Sequence, residues 1–228
     1  MNFNTVEFAF IYLPIVLLAF YLAPMRLRLP LLAVASMVFY GFSGTPQLVA
    51  MLIAITWGLI AGLVLARIGR SGWRTALAVS VPLLILYLFK YLDFTLTSID
   101  ASEEVRSHFS TVLAIVLPAG ISFYTFQIVA YIIDVADRKV EPETNFVQLL
   151  TYVAFFPQLI AGPIVRYTDI RDQLTALRTE KKIANDLARG VKFIAVGMFA
   201  KVFFADLPYA FTHGGYEVVY AVSTETSA

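Results

Sequence analysis

Gly120, Tyr124, Gln127, Tyr131 and Asp134 follow one another at intervals of four, three, four and three residues in LPAGISFYTFQIVAYIIDV. That spacing sets them on one face of a single helix. Phenols, an amide and a carboxylate give this face hydrogen-bonding groups, while Ile121, Phe126, Ile128, Val129, Ile132 and Ile133 keep the rest apolar. Such a stripe points into a helix bundle, where it lines a polar path or simply ties helices together, with Asp134 at the water boundary. A second stretch, AFFPQLIAGPIVRY, places Pro157, Gln158, Gly162 and Pro163 inside an apolar run ahead of Arg166. Breaks of this kind free backbone N–H and C=O groups, which cost several kcal/mol each when they face hydrocarbon. Irregular backbone at membrane depth is tolerated where it is buried in protein or borders a wet cavity. Gln158 both donates and accepts, so it suits those freed groups, and the stretch is expected to border an internal tunnel. The plainer alternative is a proline-kinked packing helix whose Gly162 permits close approach.

Other chemistries find little footing. Cysteine is absent and only His108 and His213 are present, which argues against a dedicated metal site. No Ser-His-Asp arrangement, phosphate loop or zinc signature occurs. Net charge is +1, with no basic run interleaved with aromatics, so nucleic acid is not an expected partner. Lys90 is expected to snorkel to the headgroups with Asp93 nearby. Lys201 lies deeper in its segment, and Asp206, five residues on, is too far for a clean helical pair.

The elements that must position these groups are membrane helices. Hydrophobic residues make up 59% of the chain, charged residues 14%, and mean hydropathy is +0.76. A soluble domain is about half apolar and a quarter charged. Seven segments approach the roughly 20 residues that a span requires: Phe8–Ala23, Leu29–Phe42, Gln47–Ala66, Thr75–Phe94, Val112–Val135, Phe146–Ile164 and Val191–Phe211. MNFNTVE carries no positive charge ahead of the first of these, so it reads as an uncleaved span with its N-terminus outside. Lys and Arg favour cytoplasmic loops. Counting Leu29–Phe42 as a span puts Arg26 and Arg28 on the same side as Arg67, Arg70 and Arg74.

The same rule puts both flanks of Phe146–Ile164 inside, with Arg138 and Lys139 before it and Arg166, Arg171 and further basic residues after it. The segment is therefore expected to dip in and return. The competing assignment makes Val112–Val135 the re-entrant one, at Pro118–Gly120. Tyr167–Ala188 repeats Ile170, Leu174, Leu177, Ala184 and Leu187 at helical spacing among charges, as an amphipathic helix on the cytoplasmic face does. The expected fold is all-α: a polytopic transmembrane helical bundle with a re-entrant segment and a cytoplasmic amphipathic helix, as one membrane domain over residues 1–228.

LPAGISFYTFQIVAYIIDV, then Asn145 and Phe146, then YVAFFPQLIAGPIVRYTDIRDQL, together resemble the membrane-bound O-acyltransferase family, in its alginate O-acetyltransferase-like bacterial branch. NFNTVEFAFIYLPIVLLAFYL, KYLDF and RGVKFIAVGMFAKVFFAD fit the same branch, so the likeness runs over nearly the whole chain. It implies a many-helix enzyme of the bacterial inner membrane built around a tunnel, where a cytoplasmic donor meets an acceptor from the far side. Its alginate-like members pass an acetyl group across the membrane to periplasmic acetyltransferases that modify an exopolysaccharide. On this resemblance Gln158, Gly162, Pro163, Arg166, Tyr124, Gln127, Tyr131 and Asp134 contribute to the tunnel. Arg166 at the cytoplasmic mouth meets the phosphates of a donor such as acetyl-CoA, or serves only as a positive-inside anchor. No bound cofactor is implied. The family's histidine, in a Trp-His-Gly type motif, has no counterpart in this sequence. The chain thus reads as the N-terminal portion of such an enzyme, expected to be inactive alone for want of a general base. The rival reading is a non-catalytic membrane scaffold or transporter component.

Overall fold

Pro24 and Ala23 set the first corner: both are extended, and they separate two helices that run back on each other. The computed structural model describes residues 7–69, 71–100, 102–109, 117–159, 163–177 and 184–206, and their regular structure is helical throughout. A π-helical turn, Phe8–Tyr12, leads into α1, Leu13–Leu22. Helix α2, Met25–Gly41, returns alongside, and the Tyr12 hydroxyl donates to the Ala35 carbonyl oxygen at 2.5 Å. At 1.5 Å per residue α2 is about 25 Å long. Helix α3 is Thr45–Ile68, and α4, Gly72–Leu86, continues through a π-helical turn, Tyr87–Tyr91, into α5, Leu92–Ser98. The Trp57 indole N–H donates to the Ala78 carbonyl oxygen at 2.8 Å and pairs α3 with α4 as a hairpin. Thr45–Ile68 and Gly72–Ser98 are each long and apolar enough to cross a bilayer. A short α6, Glu103–His108, follows.

Helix α7, Ile121–Ala136, is the centre of the packing, with Tyr124, Ile128, Tyr131 and Ile132 essentially inaccessible. The expected span Val112–Val135 is corrected here: the helix begins after Gly120, whose φ of 70° is left-handed, and residues 110–116 lie outside the described residues. Glycine accepts that conformation because it has no Cβ. Gly120 is therefore a cap preceding the helix, and Tyr124, Gln127, Tyr131 and Asp134 alone carry the stripe.

Helices α3 and α7 run in the same direction in close approach. A Cβ on Gly58 would lie 2.9 Å from Ile128, and one on Gly62 would lie 2.8 Å from the Tyr131 hydroxyl. This is the small-residue contact that lets membrane helices pack without a hydrophobic driving force. Gly62→Ala is expected to cost about 1–3 kcal/mol through overpacking, read as a lower unfolding midpoint in detergent. Gly72→Ala is the control, since nothing lies within 4 Å of its added Cβ. Equal midpoints for the two variants would show that the Gly62 contact is not tight.

The remaining helices of this unit, Met1–Glu180, are α8, Phe146–Ala154, the single turn α9, Phe156–Leu159, and α10, Tyr167–Ala176. The expected helix Tyr167–Ala188 is described only in part: α10 closes at Leu177, residues 178–183 lie outside the described residues, and Ala184–Ala188 open another helix. On α10, Tyr167 and Leu174 are buried and Ile170 is half-buried, whereas Thr168, Asp169 and Asp172 are exposed. A second unit, Lys181–Ala228, holds α11, Ala184–Ala200, and a π-helical turn, Lys201–Asp206. Within it Phe193, Val196 and Phe199 are exposed.

Candidate functional site

Asn145 opens the broken segment. Its side-chain oxygen accepts from the N–H groups of Val147 (3.0 Å) and Gln148 (3.3 Å), two donors that a helix start leaves unpaired. The nine residues of α8 span about 13 Å, less than half of a bilayer core of roughly 30 Å. The helix stops at Phe155, where ψ turns to 108°. Proline at 157 lacks an N–H, and the extended Phe155 frees neighbouring groups. Several groups around the break have partners. The Phe156 N–H donates to the fully buried Ser36 hydroxyl of α2 at 3.2 Å. The Gln158 side-chain amide donates to the Tyr152 carbonyl oxygen at 2.7 Å. The Tyr152 hydroxyl donates to the Val165 carbonyl oxygen at 2.8 Å, which ties the segment before the break to the one after it. Gly162 lies outside the described residues. Pro163 and Arg166 are exposed, and Arg166 precedes α10 with an extended backbone.

A partly buried polar knot forms where the two flanks of the break meet. The Glu143 backbone N–H donates to the Tyr131 hydroxyl at 2.9 Å. One Glu143 carboxylate oxygen accepts from the N–H groups of Thr144 (2.9 Å) and Asn145 (2.8 Å), and the other accepts from the Tyr167 hydroxyl. The Gln148 side-chain amide donates to the Tyr167 oxygen at 3.2 Å and to the Thr175 hydroxyl at 3.3 Å. The Tyr167 ring meets the rings of Tyr131 and Tyr152 edge-on, at 5.3 and 5.1 Å between centroids. Burial, reinforced by the Glu143 carboxylate, pushes the Tyr167 hydroxyl above the usual phenol range, so it stays a donor. Glu143, Gln148, Tyr152 and Tyr167 were not singled out by spacing. Asn145, a capping residue ahead of the apolar FVQLL, is the one local signal for where this knot begins.

The stripe on α7 is buried along its whole length, with Tyr124, Gln127, Tyr131 and Asp134 all under 5% exposed. The structure brings Tyr131 into the knot, whereas Tyr124 meets Tyr40 of α2 edge-on at 6.4 Å. The Gln127 side-chain oxygen and one Asp134 oxygen have no hydrogen-bond partner among the described residues. The other Asp134 oxygen faces the Lys139 ammonium at 3.7 Å. Buried polar atoms left in this state are where internal water or a polar ligand completes the bonding. Lys90 is exposed as expected, but its ammonium donates to the Ser122 hydroxyl at the start of α7 (3.0 Å), and Asp93 pairs instead with Arg106 (3.0 Å). No group of three or more His, Asp or Glu able to hold a metal occurs among the described residues. The arrangement offers hydrogen bonds and a shielded carboxylate on a polar seam.

No family model and no solved structure matches the chain. Curated relatives do. Proteins named as alginate O-acetylases from Pseudomonas aeruginosa and Azotobacter vinelandii are 36% and 37% identical over 218 residues, 90% of this chain. A peptidoglycan O-acetyltransferase from Helicobacter pylori is 28% identical over 97% of it. The chain spans 40% of the Pseudomonas aeruginosa protein and 42% of the Azotobacter one. Two helices long enough to cross a bilayer, a strongly apolar composition and this kinship make it a membrane protein. Over nine-tenths of its length the chain is similar to the alginate O-acetylases, a likeness consistent with the membrane-bound O-acyltransferase family.

Proposed function

We propose that this chain provides the tunnel-bordering part of an O-acetyltransferase that delivers acetyl groups across the bacterial inner membrane to a polysaccharide. The observation that carries the reading is the identity of 35–37% to alginate O-acetylases sustained over 90% of the chain. The peptidoglycan relative acts on another hydroxyl-bearing glycan polymer, which supports the acceptor class. In this reading the donor is cytoplasmic, acetyl-CoA or another phosphate-bearing carrier. Arg166 meets it at the mouth, and periplasmic acetyltransferases receive the group. The α7 stripe and the break at Phe155–Gln158 wall the passage.

The dip of the broken segment is part of the same proposal. Gln148 and Tyr167 are hydrogen-bonded to each other, while Phe156 reaches Ser36, partway along α2. This supports a chain that enters, turns at partial depth and comes back, with α10 lying along the cytoplasmic surface by its buried face. Single cysteines at Asn145 and Thr168 are expected to react alike with a membrane-impermeant maleimide from the cytoplasmic side. Labelling from opposite faces would end the re-entrant reading.

No general base is assigned within the chain. His108 is exposed, with its Nδ1 at 2.8 Å from the Glu104 carbonyl oxygen, and His213 lies outside the described residues. Membranes holding this chain alone are therefore expected to incorporate no labelled acetyl into polymer. An alginate O-acetylase whose matching stretch is replaced by this chain is expected to keep its acetyl-ester yield. A chimera that inserts and accumulates normally yet esterifies nothing would count against the assignment.

A further inference from the structure

Two acceptors on α7 are buried with no proton donor among the described residues. Gln127 is 2% exposed and Asp134 4%, and the side-chain oxygen of the first and one carboxylate oxygen of the second stand without a partner there. The donors of the surrounding helices are committed elsewhere. The Tyr152 hydroxyl donates to Val165, the Tyr167 hydroxyl to Glu143, and the Gln148 amide to Tyr167 and Thr175. The Lys139 ammonium lies between the other Asp134 oxygen, at 3.7 Å, and Asp137, at 3.2 Å. An acceptor kept from solvent without a donor is costly, and a carboxylate more so. Whatever completes these two must therefore bring O–H or N–H protons. The Asp134 charge repels an anion, and no group of three or more His, Asp or Glu able to hold a metal occurs among the described residues. Seven residues of helix separate the two positions by about 10 Å along the axis. A single water links atoms no more than about 5.6 Å apart, so one cannot serve both.

We infer that α7 carries two internal water sites, one at the Gln127 oxygen and one at the free Asp134 oxygen. Each water donates one proton to that oxygen and is held by a second polar atom. At Asp134 the second atom is the Tyr152 hydroxyl oxygen of α8. The two groups lie within electrostatic reach of each other, and the phenol, having donated to Val165, keeps a lone pair for the water. At Gln127 it is the oxygen of a phenol one turn away on the same face, Tyr124 or Tyr131. The Asp134 water thus joins α7 to α8 by bonds that no side chain supplies. Together the waters give the passage proposed above a wet wall. That consequence rests on the passage reading, whereas the sites themselves rest on the two oxygens.

The test exposes the full chain, in lipid nanodiscs, to a brief X-ray pulse and reads oxidised residues by mass spectrometry. Radicals formed from a bound water oxidise the ring beside it even where bulk solvent does not reach. Tyr152, and at least one of Tyr124 and Tyr131, are expected to oxidise faster than Phe39, which is equally buried but packed among Tyr12 and Phe156. Gln127→Leu keeps the volume and removes the acceptor. It is expected to bring Tyr124 and Tyr131 down to the rate of Phe39 and to leave Tyr152 unchanged. Asp134→Leu is expected to do the reverse, with Lys139 still paired to Asp137, whereas Asp134→Asn keeps an oxygen and is expected to retain the Tyr152 rate. Wild-type rates no higher than that of Phe39 overturn the inference, and that comparison needs no variant to fold. Leucine variants that oxidise as the wild type does overturn it as well. The acetyl-ester yield of the chimera described above reads the passage separately, so a dry seam in an active chimera removes the waters and leaves the passage standing.

Discussion

Replacing Phe156 with alanine is expected to lower the unfolding free energy by about 3–5 kcal/mol, the usual cost of deleting a buried aromatic ring. Phe156 is 3% exposed and is wedged among other rings: Tyr12 at 5.4 Å, Phe39 at 5.8 Å and Phe8 at 6.1 Å between centroids. Its backbone N–H is the one that Ser36 holds. Losing the ring therefore removes packing at the point where the broken segment is pinned to α1 and α2. Phe156→Leu keeps much of the volume and is expected to cost less than half as much. Equilibrium unfolding in mixed detergent micelles reads both. A loss below about 1 kcal/mol for the alanine variant would place Phe156 outside the stabilising core, since that is the range of exposed substitutions.

The second large effect is expected at Glu143. Its carboxylate accepts from two backbone N–H groups and from the Tyr167 hydroxyl, so one side chain clamps the loop before α8 to the helix after the break. Hydrogen bonds to a charged group contribute about 1.5–3 kcal/mol each, though deletions do not add. Glu143→Ala is expected to cost about 3 kcal/mol and to speed amide exchange at Thr144 and Asn145. Glu143→Gln keeps an oxygen for those two N–H groups and an amide N–H for the Tyr167 oxygen, so it is expected to lie close to wild type. If both variants behave alike, the carboxylate is a bystander.

The pH dependence follows from Tyr167. Its hydroxyl pKa in the folded state is raised from 10.0 by burial first and by the Glu143 bond second. Below that unfolded value both states are protonated and the stability is fully present. As pH rises above it, the unfolded state ionises first and stability falls, until the folded value is passed. Tyr167→Phe should flatten that alkaline slope.

Composition and helical spacing were enough to establish a helical membrane protein with a buried stripe of Tyr124, Gln127, Tyr131 and Asp134. Residues three and four apart share a face wherever the helix goes, and an apolar chain has few other places to hide polar groups. The need of broken backbone for partners was equally legible, and Gln158 supplies one, to the Tyr152 carbonyl oxygen. The identity of the other partners was not. Ser36 is 120 residues from Phe156, and no spacing in the sequence marks Glu143. Gly62 sat in an expected span without any sign that Tyr131 would lie against it. Gly120 passed for a member of the stripe until its left-handed backbone put it ahead of the helix. Local spacing depends only on a residue's own helix, so sequence carries it. Which hydroxyl meets which N–H, and which glycine admits which ring, depends on how separate helices are brought together. That is decided by packing across the whole bundle, and only the tertiary structure contains it.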